Sequence, residues 1–184
     1  MRADMVRIAH IIPGASITPT KAELLRSWLP SQAWFSGDAS DAEIAGAYRF
    51  VDPGGEVGLE GQIVTCSGQT YHVPLTYRGE PLQGGESALV GTMQHTSLGT
   101  RWVYDGTADP VFISELVRVI VETDCEAERS LGPKTAWVRG SGGAAGQPRV
   151  LRRPETEPPE NSGWLAGRWV VNGAESCGVL AVLG

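Results

Sequence analysis

The chain has 184 residues and a mass of 19.6 kDa, which is enough for one well-packed core. Its 41% hydrophobic and 20% charged residues are typical of a globular protein and exclude global disorder. A net charge of −6 and a pI near 5.1 argue against nucleic acid as a partner, because phosphate backbones attract clustered Lys and Arg. The densest basic cluster, at Arg149, Arg152 and Arg153, is followed directly by glutamates, so we interpret it as a solvated strand edge.

Cysteine, histidine and hydropathy patterns exclude several further classes of protein. The three cysteines (Cys66, Cys125 and Cys177) form no CxxC pair, and their odd number cannot complete a disulfide framework. The three histidines are scattered, so we expect no metal site and no cofactor. No stretch approaches the ~20 apolar residues of a membrane span, and Ile8–Ile12 is too short and polar for the core of a signal peptide. We therefore expect a cytoplasmic protein without a membrane partner.

The first forty residues predict a strand, a helix and a loop. Val6–Ile12 has the character of a strand. Thr20–Glu23 fits a capping box, in which the Thr and Glu side chains satisfy free backbone N–H groups at the start of a helix. The helix is then expected to end at Pro30, because proline cannot donate the next backbone hydrogen bond. Trp34 and Phe35 follow in a loop and should plug the core.

A series of strands separated by turn residues comes next. The expected strands are Ile44–Val51, Val57–Cys66, Tyr71–Tyr77, Ser87–His95 and Thr100–Tyr104. Gly58 and Gly61 suggest a bend or a bulge in the second strand. The third strand alternates apolar and polar residues, as a half-buried strand does, and Pro74 indicates an edge position because it lacks a donor.

The clearest helix signal begins at Asp109, which is a favoured N-cap residue, with Pro110 at the first helical position. Its apolar face should consist of Phe112, Ile113, Leu116, Val117, Val119 and Ile120. Glu115, Arg118 and Glu122 have the spacing of a solvent-exposed face on the opposite side.

Beyond Asp124 the chain predicts β-structure again. Short strands are expected at Thr135–Arg139 and Arg149–Arg152. A closing hairpin should turn at Asn172 and Gly173, a favoured pair for a type I′ turn.

Together these elements predict an α+β fold, with a curved, mostly antiparallel sheet and two main flanking helices. We expect a single domain over residues 1–184 with its core at about 20–125. The C-terminal strands at 135–152 and the hairpin at 164–184 are then joined by a Pro/Glu-rich linker at 154–163.

Catalytic motifs are weak throughout the sequence. Gly140–Ala145 formally matches GxGxxA, but the following Gly and Pro residues spoil the helix that a dinucleotide site needs, so a hairpin loop is favoured. His95, Ser97 and Asp105 lack the strand–elbow–helix context of a hydrolase triad. The chain contains no P-loop, no HRD-type catalytic loop and no DFG motif, so we expect no catalytic residues and no kinase activity.

The segment 85–105 concentrates charged and aromatic residues just before the second helix. One interpretation is a core-forming hairpin whose polar residues support a turn. The alternative is a groove that binds a ligand or a partner. The candidate residues of this groove are Glu86, His95, Arg101, Trp102 and Asp105.

Several motifs resemble the maltokinase N-terminal cap domain. Leu24–Gly37 contains Trp-Leu-x-x-Gln-x-Trp-Phe and is similar to the opening pattern of that family, LxxWLxxQRWFxGK. The Tyr-x-Val-Pro-Leu-x-Tyr segment at 71–77 and Gly-Glu-Ser-Ala-Leu-Val-Gly at 85–91 also resemble the cap. The stretches Leu98–Asp105 and Asp109–Val111 are similar to short actinobacterial proteins that carry only a cap-like domain. The resemblance covers about residues 20–125 well and the C-terminal hairpin more loosely.

The resemblance implies the cap fold and a docking role. In full-length relatives the cap sits on a kinase that phosphorylates maltose, and it serves as a docking element for trehalose synthase. We therefore expect a non-catalytic protein-interaction or regulatory module linked to maltose, trehalose or glycogen metabolism. Its partner would be a kinase or a trehalose- or maltose-metabolising enzyme.

Two functions are weighed against each other at this point. A flat, exposed apolar surface around Trp34 and Phe35 would favour docking of a partner. The alternative is a module that binds a sugar or sugar phosphate in the 85–105 groove. A pocket between the sheet and the second helix, with His95 and Arg101 pointing in, would favour this second reading.

Overall fold

The computed structural model describes residues 6–184; residues 1–5, with which the expected domain begins, lie outside the described part. Over residues 6–184 the chain forms two α-helices and twelve strands in three sheets. In chain order these are β1 (Ile8–Ala9), β2 (Ile17–Thr18), α1 (Lys21–Trp28), β3 (Glu43–Val51), β4 (Gly58–Cys66), β5 (Gln69–Arg78), β6 (Leu89–His95), β7 (Gly99–Asp105), α2 (Pro110–Val121), β8 (Glu128–Arg129), β9 (Ala136–Gly140), β10 (Pro148–Glu155), β11 (Gly163–Val171) and β12 (Ala174–Leu183).

A six-stranded sheet forms the centre of the fold, with the order β2-β6-β7-β5-β4-β3 and antiparallel pairing throughout. A four-stranded antiparallel sheet has the order β10-β12-β11-β9. The remaining pair, β1 and β8, is parallel. The α+β prediction of a curved, mostly antiparallel sheet with two helices is confirmed, and the C-terminal strands form a second sheet.

Helix α1 begins where the capping box predicted. The Thr20 side chain accepts from the backbone N–H of Glu23, and the Glu23 carboxylate accepts from the backbone N–H of Thr20 at 2.7 Å. The helix ends at Trp28, and Pro30 lies in the short 3-10 turn that follows. Leu25 and Trp28 are buried against one face of the six-stranded sheet.

The two faces of the six-stranded sheet are covered by different elements. One face, which we call the α1 face, packs under α1 through Val64, Tyr71, Val73, Leu75 and Val103, among others. The opposite face carries Tyr48, Phe50, Leu59 and Ile63, and packs against α2 and the four-stranded sheet. The core therefore lies on both sides of the sheet.

Because both faces are covered, the prediction of a half-buried strand at β5 is wrong. His72 and Thr76 are fully buried. His72 Nδ1 donates to the Leu180 carbonyl at 3.1 Å, and the Tyr48 hydroxyl donates to its Nε2 at 2.8 Å. Burial lowers the pKa of His72 to about 3, and the Arg152 guanidinium acts in the same direction, so the ring is neutral and joins the two sheets.

The edge position predicted from Pro74 is also wrong. β5 lies between β4 and β7 in the sheet. Its ladder with β7 begins only at Leu75, which pairs with Asp105, so the ladder does not require a donor from Pro74 on that side.

The bulge predicted at Gly58 or Gly61 lies on the neighbouring strand instead. The pairing of β4 with β5 is unbroken, whereas β3 shifts register between Ile44 and Gly46. Gly61 has a different role, because a Cβ at this position would lie 2.1 Å from the ring of Tyr48. The glycine makes room for an aromatic side chain from β3.

Helix α2 begins at the predicted cap, since Asp109 Oδ1 accepts from the backbone N–H of Val111 at 3.0 Å. Its apolar stripe is buried, but the prediction that Glu115 is exposed is wrong. Glu115 is 3% exposed because Arg118 and Arg7 cover its carboxylate, at 2.9 and 3.8 Å. Neither helix in residues 6–184 is long and apolar enough to cross a membrane.

The C-terminal sheet has the predicted hairpin; of the two short strands expected before it, β9 has the predicted length and β10 is longer. Asn172 and Gly173 have φ values of 51° and 79°, as a type I′ turn requires. Near the other end of the chain, the expected strand Val6–Ile12 is shorter and consists of Ile8–Ala9 alone. It pairs with β8, a strand that was not predicted from the sequence around residues 128–129.

Candidate functional site

A cavity of about 490 Å³ lies between the N-terminal segment 8–17 and the six-stranded sheet; we call it the N-terminal cavity. This volume lies within the range of small-molecule sites, about 300–1,000 Å³. Of the described residues, those lining it come from the N-terminal segment, the start of α1, the β3–β4 hairpin, β5, the β6–β7 hairpin and β8, and none comes from α2. The predicted location between the sheet and the second helix is therefore not where this cavity lies.

Apolar side chains form much of the cavity wall. They are Ile8, Ile11, Ile12, Ile17, Phe50, Leu59, Met93 and Leu98. Ile8 is 45% exposed and Leu98 is 48% exposed, so both present apolar surface at the rim of the cavity. An apolar surface at the rim of a cavity is suited to contact with a ligand or a partner.

A buried carboxylate, Glu60, organises the polar side of the cavity. It accepts from Lys21 Nζ at 2.5 Å and from the Tyr77 hydroxyl at 2.9 Å, and Arg49 lies 3.5 Å from its other oxygen. Burial alone would raise the pKa of Glu60, but the two cations and the hydrogen bonds outweigh it and lower the pKa to about 2. Glu60 is therefore charged at neutral pH and holds three cavity-lining residues in place.

Burial also acts on the phenol of Tyr77. It raises the pKa of Tyr77 well above its ordinary value, and the charge of Glu60 adds to this effect. Tyr77 consequently remains protonated and can continue to donate to Glu60.

The β6–β7 hairpin contributes His95 and Arg101 to the cavity. His95 Nδ1 accepts from the backbone N–H groups of Ser97 and Leu98, at 3.1 and 3.2 Å. The neutral ring thus carries its proton on Nε2, which remains a donor. Arg101 donates to the Leu98 carbonyl. Its Nε is buried and has no acceptor among residues 6–184, and the same holds for Nε of Arg49.

The remaining residues of the predicted groove lie elsewhere. Glu86 is exposed in a short 3-10 turn. Trp102 neighbours Arg101 along β7 and is half-buried on the other face of the sheet. Asp105 is buried, where it accepts from the backbone N–H of Thr107 at 3.1 Å and pairs with Arg152. The structure thus brings His95 and Arg101 together and separates the other three.

Trp34 and Phe35 are half-buried against the α1 face. The ring of Phe35 lies 5.1 Å from that of Tyr71, and the guanidinium of Arg152 lies 4.6 Å above Trp34. These two aromatic residues pack as the loop plug that the sequence predicted, and part of their surface remains accessible.

Sequence reasoning missed the polar residues that organise the cavity: Lys21, Arg49, Glu60, Tyr77 and Arg129. One signal was available, because Glu60 stands in the middle of a predicted strand with an apolar partner strand. A buried carboxylate requires cationic or hydrogen-bonding partners, so its position indicated a polar cluster.

Comparison with known proteins relates part of the chain to a family. Residues 28–109 match the family model of the maltokinase N-terminal cap domain. This segment is similar to that family. The family resemblance predicted from the sequence is thereby confirmed, and the cap segment includes Trp34, Phe35, His95 and Arg101.

The cap segment covers slightly less than half of the chain. It begins at Trp28, the last residue of α1, and ends at Asp109, the N-cap of α2. The four-stranded sheet lies outside it. A cap domain is an accessory domain and is not by itself a catalytic kinase. No curated protein and no solved structure matches the chain.

Proposed function

We propose that the chain is a non-catalytic binding module, related to the maltokinase cap, that takes a sugar or sugar phosphate into the N-terminal cavity. The observation that carries this proposal is the convergence of His95 and Arg101, two residues of the predicted groove, on one cavity of about 490 Å³. Binding of such a ligand would make the chain a regulatory module of maltose, trehalose or glycogen metabolism.

The lining of the cavity matches the chemistry of these ligands. Binding sites for small molecules combine apolar walls with a few fixed polar groups that set orientation. Here the isoleucine-rich wall can cover the C–H faces of a sugar ring, while His95 Nε2 and the guanidinium of Arg101 supply donors for its oxygens. Lys21 is fixed by Glu60 and supplies a further donor.

Isothermal titration calorimetry with maltose, trehalose and glucose 1-phosphate tests the proposal. Ala15 lines the cavity, so Ala15→Phe should fill part of it and abolish the binding seen for the unmodified chain. Ala144→Phe is the matched control, because Ala144 is exposed in the loop before β10. Binding of no compound at millimolar concentration, or equal binding by the Ala15→Phe chain, would refute the proposal.

Docking of a partner protein is a second candidate. In its favour, Trp34 and Phe35 lie within the cap segment and retain accessible surface, and Ile8 and Leu98 expose apolar surface at the cavity rim. The partner would be a kinase or a trehalose- or maltose-metabolising enzyme.

An affinity pull-down from native lysate, read by mass spectrometry, tests the docking candidate. The folded chain should recover such an enzyme, and a Leu98→Asp chain should recover less of it. If a well-folded bait recovers no such enzyme, docking is rejected.

A further inference from the structure

We infer that the ligand of the N-terminal cavity is an organic anion whose phosphate or carboxylate head is bound by Arg49 and Arg101. This inference rests on the proposed function and specifies the chemical class of ligand within it. It follows from three features of the cavity: its charge, its unsatisfied donors and the arrangement of its carboxylates.

The cavity is locally basic although the chain carries a net charge of −6. Four cationic side chains line it: Lys21, Arg49, Arg101 and Arg129. The first two share the buried carboxylate of Glu60. Over residues 6–184, Arg101 and Arg129 have no carboxylate within ion-pair distance. Asp52 and Glu56 also line the cavity, so with Glu60 four cations face three carboxylates, which leaves a net charge of +1, and Arg101 and Arg129 are the cations without an ion pair in the described residues.

Two buried donors of the cavity are unsatisfied. The Nε–H groups of Arg49 and Arg101 are inaccessible to solvent and find no acceptor within the described part of the chain. Buried N–H groups in folded proteins almost always have a partner, and those of a charged guanidinium are the most costly to leave without one. Because the Nε atoms themselves are covered, an anionic ligand would bind these arginines through their terminal Nη groups, and guanidinium groups bind phosphate and carboxylate in preference to neutral oxygens.

Among the described carboxylates at the cavity, Glu60 pairs with Arg49, but none pairs with Arg101. Asp52 accepts from the backbone N–H groups of Gly54, Glu56 and Val57 at 2.8–3.0 Å, so it is held within the β3–β4 turn. Glu56 is exposed. Glu60 is occupied by Lys21 and Tyr77. An anion can therefore approach Arg101 without meeting a free carboxylate at that position.

The apolar wall indicates that the ligand is an organic anion and not a bare ion. A free phosphate ion would leave Ile12, Ile17 and Leu98 without a partner, whereas an organic body would cover them. The Nε2–H of His95, which lies on the same face of the β6–β7 hairpin as Arg101, is available to bind an oxygen of that body.

Nuclear magnetic resonance of the arginine Nε–H groups tests this inference directly. The full chain is titrated at constant ionic strength with glucose 1-phosphate, with glucose as its neutral counterpart, with glucuronate as a carboxylate and with inorganic phosphate. Glucose 1-phosphate or glucuronate should shift the Nε–H resonances of Arg49 and Arg101 in a saturable manner. Glucose and inorganic phosphate should bind at least about tenfold more weakly, because each lacks one part of the recognised ligand.

Arg101→Gln removes the guanidinium and should weaken binding of the anion by about tenfold or more, the loss expected for one charge-assisted hydrogen bond. Arg101→Lys keeps the charge and should lose less. Arg149→Gln is the matched control, since Arg149 is exposed and does not line the cavity.

The outcomes separate this inference from the proposed function. If glucose binds as tightly as glucose 1-phosphate, or if Arg101→Gln changes nothing, the anionic ligand is rejected while the sugar-binding function stands. If none of the four compounds binds, the anionic ligand is rejected, and the sugar-binding function is rejected with it when maltose and trehalose also fail to bind in the calorimetric test.

Discussion

The buried Glu60 cluster yields the sharpest test of how this fold is stabilised. Glu60→Gln keeps the shape of the side chain but removes its buried charge, and leaves the partly buried Lys21 and Arg49 without a counter-charge. The amide can still accept from Tyr77. The substitution therefore isolates the electrostatic part of the cluster.

The structure gives the magnitude of the expected loss. The pKa of Glu60 falls from 4.5 to about 2 on folding. Because a tenfold change in proton affinity is worth about 1.4 kcal/mol, this fall corresponds to about 3 kcal/mol of stability at pH 7. Removal of one partner from a buried ion pair typically costs about 3–5 kcal/mol, which agrees with this value.

The pH dependence has a defined sign. Since folding lowers the pKa of Glu60, its contribution is fully present above pH 4.5, the ordinary pKa, and is lost as the pH falls towards 2. The difference in unfolding free energy between the unmodified chain and Glu60→Gln should therefore be largest at neutral pH and shrink below pH 4.5. Other acid-sensitive groups, such as His72, are common to both chains and cancel in this difference.

Urea denaturation followed by tryptophan fluorescence measures this difference at a series of pH values. Glu56→Gln serves as the control, because Glu56 is exposed and should change stability by less than about 0.5 kcal/mol. A loss below about 1 kcal/mol for Glu60→Gln at pH 7, or a loss that does not vary between pH 7 and pH 3, would refute the electrostatic argument.

Three further predictions concern the packing of the sheets. Gly61→Ala should lower stability by about 1–3 kcal/mol, because its methyl group would meet the ring of Tyr48, and a rise or no change in the melting temperature would contradict this packing. Asp109→Ala removes the cap of α2 and the buried carboxylate that pairs with the half-buried Arg78, so urea denaturation should show a loss of about 3 kcal/mol or more; Asp109→Asn, which retains a cap, should lose less. Arg152→Met removes the cation above Trp34 and should shift the tryptophan emission spectrum in the folded state, whereas an unchanged spectrum would argue against the stacked arrangement.

Features determined by a few neighbouring residues were predictable from the sequence. The capping box at Thr20, the N-cap at Asp109 and the turn at Asn172 each depend on contacts within four residues. A short stretch of sequence therefore contains all the information needed to predict each of them. The α+β class followed from the order of these local elements.

The wrong predictions have a common physical cause in distant contacts. His72 and Glu115 were expected to face solvent on the basis of periodicity, but the four-stranded sheet covers the first and Arg118 with Arg7 covers the second. Periodicity shows that a strand or helix has two different faces, but it cannot show whether another element of the chain will cover the polar one.

The candidate site was predictable only in part for the same reason. His95 and Arg101 share one hairpin, so their proximity follows from the local pattern. The opposite wall is the N-terminal segment, which is held in place by the pairing of Ile8 with Glu128, a residue 120 positions away. No local signal in the sequence specifies that pairing.

The cap segment and the C-terminal sheet share one hydrophobic core, and this determines whether the cap segment can fold alone. The cap segment supplies Tyr48, Phe50, Leu59 and Ile63 to one side of its sheet, but the side chains that keep water away from them belong to residues after 109. A polypeptide cut to 28–109 would present this broad apolar plane to solvent, and we expect it to aggregate. In this chain α2 and strands β9–β12 pack on that apolar face and bury it. The fold of the cap segment therefore depends on residues that lie outside the segment.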